Sequence, residues 1–291
     1  ALFAKRISRP LRRLSTISQE IAAGKYNQKT FVASHTTEIA ALSDSFQSMQ
    51  SNIQMREEQI QFQASHDLLT GLVNRYHIAD VINTKLYNKE SFDVIGINIL
   101  SFRNVNDVFG YSNGDFCLHT LAGRLEKLGG EAARLSGGEF LWMPKSRLSG
   151  NDLASIQTEL EAPIYAENVV IALKLSFGQL HCPEDADDPS TLLKRLAITL
   201  DHARHLPDHR VRYSPNFDAE YTRRISIITE LKQALHRDSP ELSLGYQPKL
   251  CLDSSSISHA EALMRWTSKT LGFVGPDEFI LVAEQAGLIG A

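Results

Sequence analysis

Arg134-Leu135-Ser136-Gly137-Gly138-Glu139-Phe140 sets two glycines between two short apolar runs. Residues 132–135 and 139–143 read as strands, and Gly137-Gly138 suits a tight primed hairpin turn between them. Working outward, Val94-Ile95-Gly96-Ile97-Asn98-Ile99-Leu100 is apolar on both alternations, as in a central strand covered on each face. Residues 114–128 predict a helix through Phe116, Leu118, Leu121, Leu125 and Leu128. A further strand is expected over 169–177 and a helix over 192–204. Elements alternating in this way describe an α/β domain, a mixed sheet with helices packed on it.

Upstream the periodicity changes. Ile7, Leu14, Ile17 and Ile21 share a helical stripe with Pro10 in its first turn, where proline is tolerated. Gly24 and Asn27 break it. A second stripe, Ile39, Leu42, Phe46, Met49, Ile53 and Ile60, follows 3-4 spacing and is interrupted by Arg56 at one inward position. Two such helices joined by a polar connector (25–37) cannot bury both stripes alone, but a second copy completes a parallel four-helix coiled coil. Residues 54–65 extend the second helix as a rigid connector.

Downstream, a helix is expected over 221–235, strands over 242–248 and 257–266, and a helix over 276–287. The stretch from Arg224 to Ala291 is far short of the roughly 250 residues of a (β/α)₈ barrel. The chain opens on Ala1 and stops soon after its last motif, so it is expected to be a piece of a longer protein.

Apolar residues make up 43% and charged residues 22%, a globular balance. A net charge of −4 argues against a dedicated nucleic-acid binder. Lys5, Arg6, Arg9, Arg12, Arg13, Lys25 and Lys29 nevertheless crowd the start against Glu20 alone. That cluster suits a solvated helix face or the anionic headgroups beside a membrane. No apolar run of about 18 residues marks a membrane span within the chain. Cys117, Cys182 and Cys251, widely spaced, read as buried thiols of a reducing compartment.

With His66-Asp67-Leu68-Leu69-Thr70-Gly71-Leu72, Phe102-Arg103-Asn104-Val105-Asn106-Asp107, Gly110-Tyr111 and Gly114-Asp115 before it, the hairpin resembles that of the GGDEF domains. This family makes, breaks or senses cyclic di-GMP together with EAL partners. The resemblance implies that Asn106 and Asp115 read guanine, a carboxylate accepting N1–H and N2–H; capping a turn and a helix is the other reading of the two residues. It implies a phosphate-facing cation at Arg204, where the family has Lys, and a metal-binding acid at Glu139. Two other anionic positions are lost: Asn98 stands for an Asp, and Gly138 for the hairpin's Asp or Glu. Leu100 fills the next acidic position of the strand, Ala197 replaces an Asp of the last helix, and Lys127-Leu128-Gly129-Gly130 lacks the feedback Arg-x-x-Asp. Mg²⁺ on a triphosphate needs hard anionic oxygens, and losing one such group costs about 10²–10³ in rate. Cyclase activity is therefore not expected.

Ile7-Ser8-Arg9-Pro10-Leu11 and Glu38-Ile39 resemble the openings of the two helices of a HAMP relay module; a generic dimerising coiled coil is the other reading. Tyr246-Gln247-Pro248-Lys249, Glu261-Ala262-Leu263-Met264-Arg265-Trp266 and the 276–289 stretch resemble the start of an EAL domain. In that family the Glu matching Glu261 binds metal, while Gln247, Leu263 and Arg265 match groups that touch the dinucleotide. Glu261 is expected at the C-terminal end of a barrel strand.

The expected architecture is thus multidomain: a HAMP-like α-helical coiled coil (1–57), a connector helix (58–65), a degenerate α/β GGDEF domain (66–216) and the first βα units of an EAL TIM-like barrel (217–291). The implied whole is an inner-membrane receptor with its cytoplasmic portion here, homodimeric through HAMP and connector helices and anchored by a preceding membrane helix. Its parent is expected to hydrolyse cyclic di-GMP to pGpG with Mg²⁺ or Mn²⁺ in the complete EAL domain, the piece in hand being inactive. The alternative is a non-catalytic cyclic di-GMP receptor relaying occupancy through HAMP, and an active diguanylate cyclase ranks below both. GTP binding to the GGDEF pocket stays open, and no nucleic acid is expected.

Overall fold

The structure, a computed structural model, describes residues 8–22, 37–166, 169–236, 239–252 and 256–290. Ile7, Gly24, Asn27 and the connector up to residue 36 lie outside the described residues. Helix α1 (Arg9–Ala22) packs on α2 (Thr37–Ser65). The expected stripe of α2 divides: Ile39 is buried and Phe46 and Ile53 half-buried, whereas Leu42, Met49 and Ile60 are exposed.

Beyond α2 come β1 (Val73–Asn74), α3 (Arg75–Tyr87), β2 (Phe92–Ile99), α4 (Phe102–Phe109), α5 (Tyr111–Leu128), β3 (Glu131–Ser136), β4 (Glu139–Met143) and α6 (Gly150–Leu160). The chain continues through β5 (Ile164–Ala166), β6 (Val169–Ile171), β7 (Leu175–Cys182), α7 (Pro189–Arg204), β8 (Arg210–Arg212) and α8 (Pro215–His236). It closes with β9 (Leu242–Cys251), β10 (Ser256–Ser268), β11 (Gly272–Val274) and α9 (Pro276–Gln285). Local chemistry sets several of these starts. Asn74 caps α3 by accepting from Tyr76 N and His77 N, Ser149 and Asp152 close a capping box on α6, and Asp188 caps α7 ahead of Pro189.

Six strands run in the order β1-β3-β4-β2-β7-β8. The sheet is mixed: β1 and β3 are parallel, β3 and β4 antiparallel, β7 and β8 parallel. Contacts divide the chain into two units, residues 1–92 with 99–174, and 93–98 with 175–291. In the second, α7 lies so close to β2 that a Cβ on Gly96 would stand 2.8 Å from Leu196 Cγ, so the glycine sets the helix's approach.

One expected strand is corrected. Residues 169–177 are not continuous: β6 turns back on β5, and β7 begins anew in the six-stranded sheet after the buried Leu173. Burial periodicity cannot register a change of pairing partner within an apolar run.

In the second unit β9, β10 and β11 form a separate antiparallel sheet. The first two strands of the barrel segment are thus a direct antiparallel pair. Trp266, Val274, Phe279, Val282 and Ala283 join Ile227 and Leu231 of α8 in a buried core. The first half of α8 is held by charge instead: Arg195 Nε donates to Asp218 at 2.9 Å and Arg224 Nη1 to Asp201 at 2.8 Å. Cys117 and Cys182 are buried as expected, but Cys251 is exposed, because it ends an edge strand.

Candidate functional site

The β3–β4 hairpin turns on Gly137, whose φ of +49° lies in the left-handed region. Arg134 braces it from below: Nε and Nη2 donate to Gly137 O at 3.2 and 2.9 Å, while Nη1 donates to Asp67 Oδ1 at 3.0 Å. Asp67 also accepts from Thr70 N and Oγ1 at 2.9 and 2.7 Å. Burial alone would raise the Asp67 carboxyl, but the Thr70 and Arg134 donors outweigh it and hold it below the usual carboxylate range. The turn that follows the connector helix is thereby tied to the hairpin. The sequence displayed both charges without showing that they meet; opposite signs in two separate motifs were the available signal.

Gly138 is buried, and its carbonyl accepts from Ile99 N at 2.9 Å. A Cβ here would lie 3.1 Å from Ile99 Cβ and 3.2 Å from Phe102 Cβ. A side chain here would need Ile99 and Phe102 to give by a few tenths of an ångström, and the glycine supplies no charge. Glu139, half-buried, accepts from Ser136 Oγ at 3.2 Å. Asn98 is half-buried near the end of β2 and offers only a neutral amide.

Asn106 lies against the residue that precedes Asp115. Asn106 lies inside α4 and Asp115 in the second turn of α5, so neither is a cap; Gly110 occupies that position for α5. A Cβ on Gly114 would collide with Asn106 Oδ1, so the amide rests on the glycine immediately before Asp115. Asn106 is half-buried and Asp115 exposed, a polar pair at the α4–α5 junction. In the other unit, Arg204 is half-exposed at the end of α7, and its Nη1 stands 3.5 Å from Asp201 Oδ1.

Register groups the four residues of the barrel segment. In β10 positions 261, 263 and 265 share one face by period two, and Gln247 of β9 pairs directly with Glu261. Gln247, Glu261, Leu263 and Arg265 therefore line one face, while Trp266 turns to the core on the other. Glu261 is half-exposed and lies within β10 rather than at its C-terminal end, because the strand runs on to Ser268. Lys249 Nζ sits 3.3 Å from Glu261 Oε2, a contact that only the strand register reveals.

Among the described residues no group of three or more His, Cys, Asp or Glu is placed to hold a metal ion. The donor sets agree with this. The hairpin offers Glu139 alone beside an uncharged Gly138, and the barrel segment offers Glu261 beside a lysine. Neither fits the carboxylate-rich cage that a pair of divalent ions requires.

Family models match three segments: HAMP domain over residues 2–55, diguanylate cyclase GGDEF domain over 64–210, and EAL domain over 228–291. The chain is 32% identical over 272 residues to the biofilm architecture maintenance protein MbaA of Vibrio cholerae, covering 87% of this chain. It is 29% identical over 239 residues to the cyclic di-GMP phosphodiesterase NbdA of Pseudomonas aeruginosa, covering 78% of this chain. It spans 34% and 30% of the length of these two relatives. Among solved structures it resembles the S helix–GGDEF–EAL portion of Vibrio cholerae LapD bound to c-di-GMP, with a TM-score of 0.50 and 20% identity. That match covers 81% of this chain and 57% of the other, and it is a likeness of fold.

Proposed function

The chain belongs to the GGDEF family, flanked by HAMP and EAL segments, and from that premise we propose that it is the cytoplasmic part of an inner-membrane receptor in cyclic di-GMP signalling. In this reading the GGDEF domain does not synthesise cyclic di-GMP and serves as a regulatory or dimerising module. The EAL domain, complete in the longer protein, hydrolyses cyclic di-GMP to pGpG. HAMP-type helices of two copies pass on the signal, and the basic stretch at the start faces anionic lipid.

The observation that carries the proposal is the shared face of Gln247, Glu261, Leu263 and Arg265. These side chains offer an amide, a carboxylate, an apolar contact and a guanidinium along one strand pair, a combination suited to a dinucleotide diester. The guanidinium can meet a phosphate and the amide a base edge. Divalent ions held by further carboxylates of the complete barrel would polarise the phosphate; this chain's own residues would bind and orient the ligand. Asn98 and Gly138 support the loss of synthesis, because neither supplies the anionic oxygen that a metal-bound triphosphate needs.

The test is product release by the full-length protein with Mg²⁺ or Mn²⁺. Linear pGpG is expected from the native protein, and a drop of at least about 10²-fold from Glu261→Gln, in keeping with loss of one well-placed electrostatic group. No pGpG from the native protein would refute hydrolysis. Turnover of GTP to cyclic di-GMP by the 291-residue chain would refute the loss of synthesis.

A second reading has its own support. The Lys249–Glu261 pair engages the carboxylate that the family uses for metal, which favours a receptor that binds cyclic di-GMP without cleaving it. Tight binding of the dinucleotide by the full-length protein with no pGpG would select this reading.

A further inference from the structure

Helix α2 divides its apolar stripe between two tasks. With Ile39 as position a of a heptad, Phe46, Ile53 and Ile60 are also a, and Leu42, Met49 and Arg56 are d. The a side is covered early in the helix, Ile39 being buried and Phe46 and Ile53 half-buried, with Ser43 and Gln50 buried alongside. The d side is open: Leu42 and Met49 are 40% and 42% exposed. A cleft of about 600 Å³ runs beside Met49, Ile53 and Arg56, lined also by Ser45, Ser48 and Asn52. Helix α1 has 14 residues against 29 in α2, or about 21 Å against about 43 Å at 1.5 Å per residue. It can therefore flank only about half of α2. Further along, Met55, Ile60 and Phe62 are 63%, 63% and 45% exposed.

Arg56 sits at the weak point of this seam. It occupies a d position, yet its guanidinium makes no hydrogen bond or ion pair among the described residues, although Glu57 and Glu58 follow it. Glu58 is engaged instead by Gln54 Nε2 at 3.0 Å, and Glu57 likewise has no partner. Glu57 is position e. In a parallel, in-register pair a d side chain points along the partner helix's e position, so each Arg56 meets the other copy's Glu57. The layer is self-complementary under a twofold axis, as an isologous interface requires.

We propose that a second copy of this chain docks in parallel on the open d side of α2, with Arg56 and Glu57 forming a reciprocal ionic layer that sets its register. The proposal rests on the parallel paired-receptor reading above and adds its register and charge dependence. Apolar layers at 42, 46, 49 and 53 supply adhesion. The ionic layer gives up some of that adhesion, as polar groups in a coiled-coil seam do, and in exchange disfavours slipped registers. It also makes the pairing salt-sensitive just before the helix enters the GGDEF domain.

The test is the monomer–dimer equilibrium of the 291-residue chain by sedimentation. Arg56→Glu and Glu57→Arg are each expected to raise the dimer Kd about tenfold or more. The double swap should return it to within about threefold of native. All these differences should shrink at about 1 M salt, where the screening length falls to about 3 Å. Arg56→Leu should tighten the dimer. All these side chains are solvent-facing on one helix, and circular dichroism establishes that each variant keeps its helix content. Met49→Cys in a Cys251→Ser background should cross-link to itself on oxidation, which an antiparallel pair would not allow. A dimer with no recovery in the double swap, or with no Met49→Cys cross-link, overturns the ionic layer but spares the paired receptor. A chain still monomeric at several hundred micromolar overturns both.

Discussion

A carboxylate at position 138 would need a Cβ 3.1 Å from that of Ile99 and 3.2 Å from that of Phe102. Gly138 does not depend on the left-handed region, which its neighbour Gly137 occupies, so crowding alone decides the effect of substitution. Gly138→Asp is therefore expected to destabilise the domain by about 1–3 kcal/mol, as overpacking does, measured by thermal or urea denaturation. It should not restore synthesis, because Asn98 still lacks a charge. Replacing both positions with Asp and recovering brisk GTP turnover would show that the hydrocarbon around 138 yields readily. At this scale the sequence revealed which charges are missing. It could not reveal that Ile99 and Phe102 crowd the Cβ position, since that depends on how the turn closes over the end of a distant strand.

Among the elements, long periodic ones were legible and short or interrupted ones were not. Helices α2, α5 and α7 and strands β2, β4 and β10 lie where their apolar spacing places them. Helix α3 escaped because only Ile78 and Ile82 are buried, too few for a stripe, and its start is instead set by the Asn74 cap. The eight residues of α4 bury none of their side chains and leave no core signal. Helix α6 shows how such a short element is secured. Arg124 of α5 donates through Nη1 to Leu160 O and Ala162 O at 2.8 and 2.6 Å, and through Nη2 to Pro163 O at 3.0 Å. One half-buried guanidinium thus satisfies three carbonyls at and beyond the end of α6 that no helical N–H reaches. Arg124→Ala should cost about 2–3 kcal/mol, since hydrogen bonds to a charged group are lost and carbonyls are stranded. The shift of the urea midpoint measures it, and an unchanged midpoint would mean that water replaces the arginine without loss. Candidate site residues followed the same logic: the face shared by Glu261, Leu263 and Arg265 comes from strand period, whereas the places of Gln247 and Lys249 beside Glu261 need the register.

For the whole molecule, thiol reactivity is the simplest probe of folding. Cys117 and Cys182 are both buried; burial raises each thiol, and at Cys182 the nearby Asp185, Glu184 and Asp93 help push it up to about 12. Cys251 is exposed on β9. A maleimide at neutral pH should therefore label one thiol per folded chain and three after denaturation, since the thiolate is the reacting form. Rapid labelling of two or more in the native protein would reveal an opened core.

The outer margins of the two larger sheets differ in length. The six-stranded sheet ends in β1 and β8, stubs of two and three residues, whereas β9 presents ten residues at the rim of its sheet. A foreign strand seeking a template finds almost nothing at the first and a full ladder at the second. Past the middle of that ladder stand Pro248, which withholds a donor, and Lys249, which plants a charge. In the 291-residue chain an intruding strand could zip only partway along β9 before meeting them; in the complete barrel proposed above a barrel strand would take the same rim, so the brake belongs to the open sheet alone.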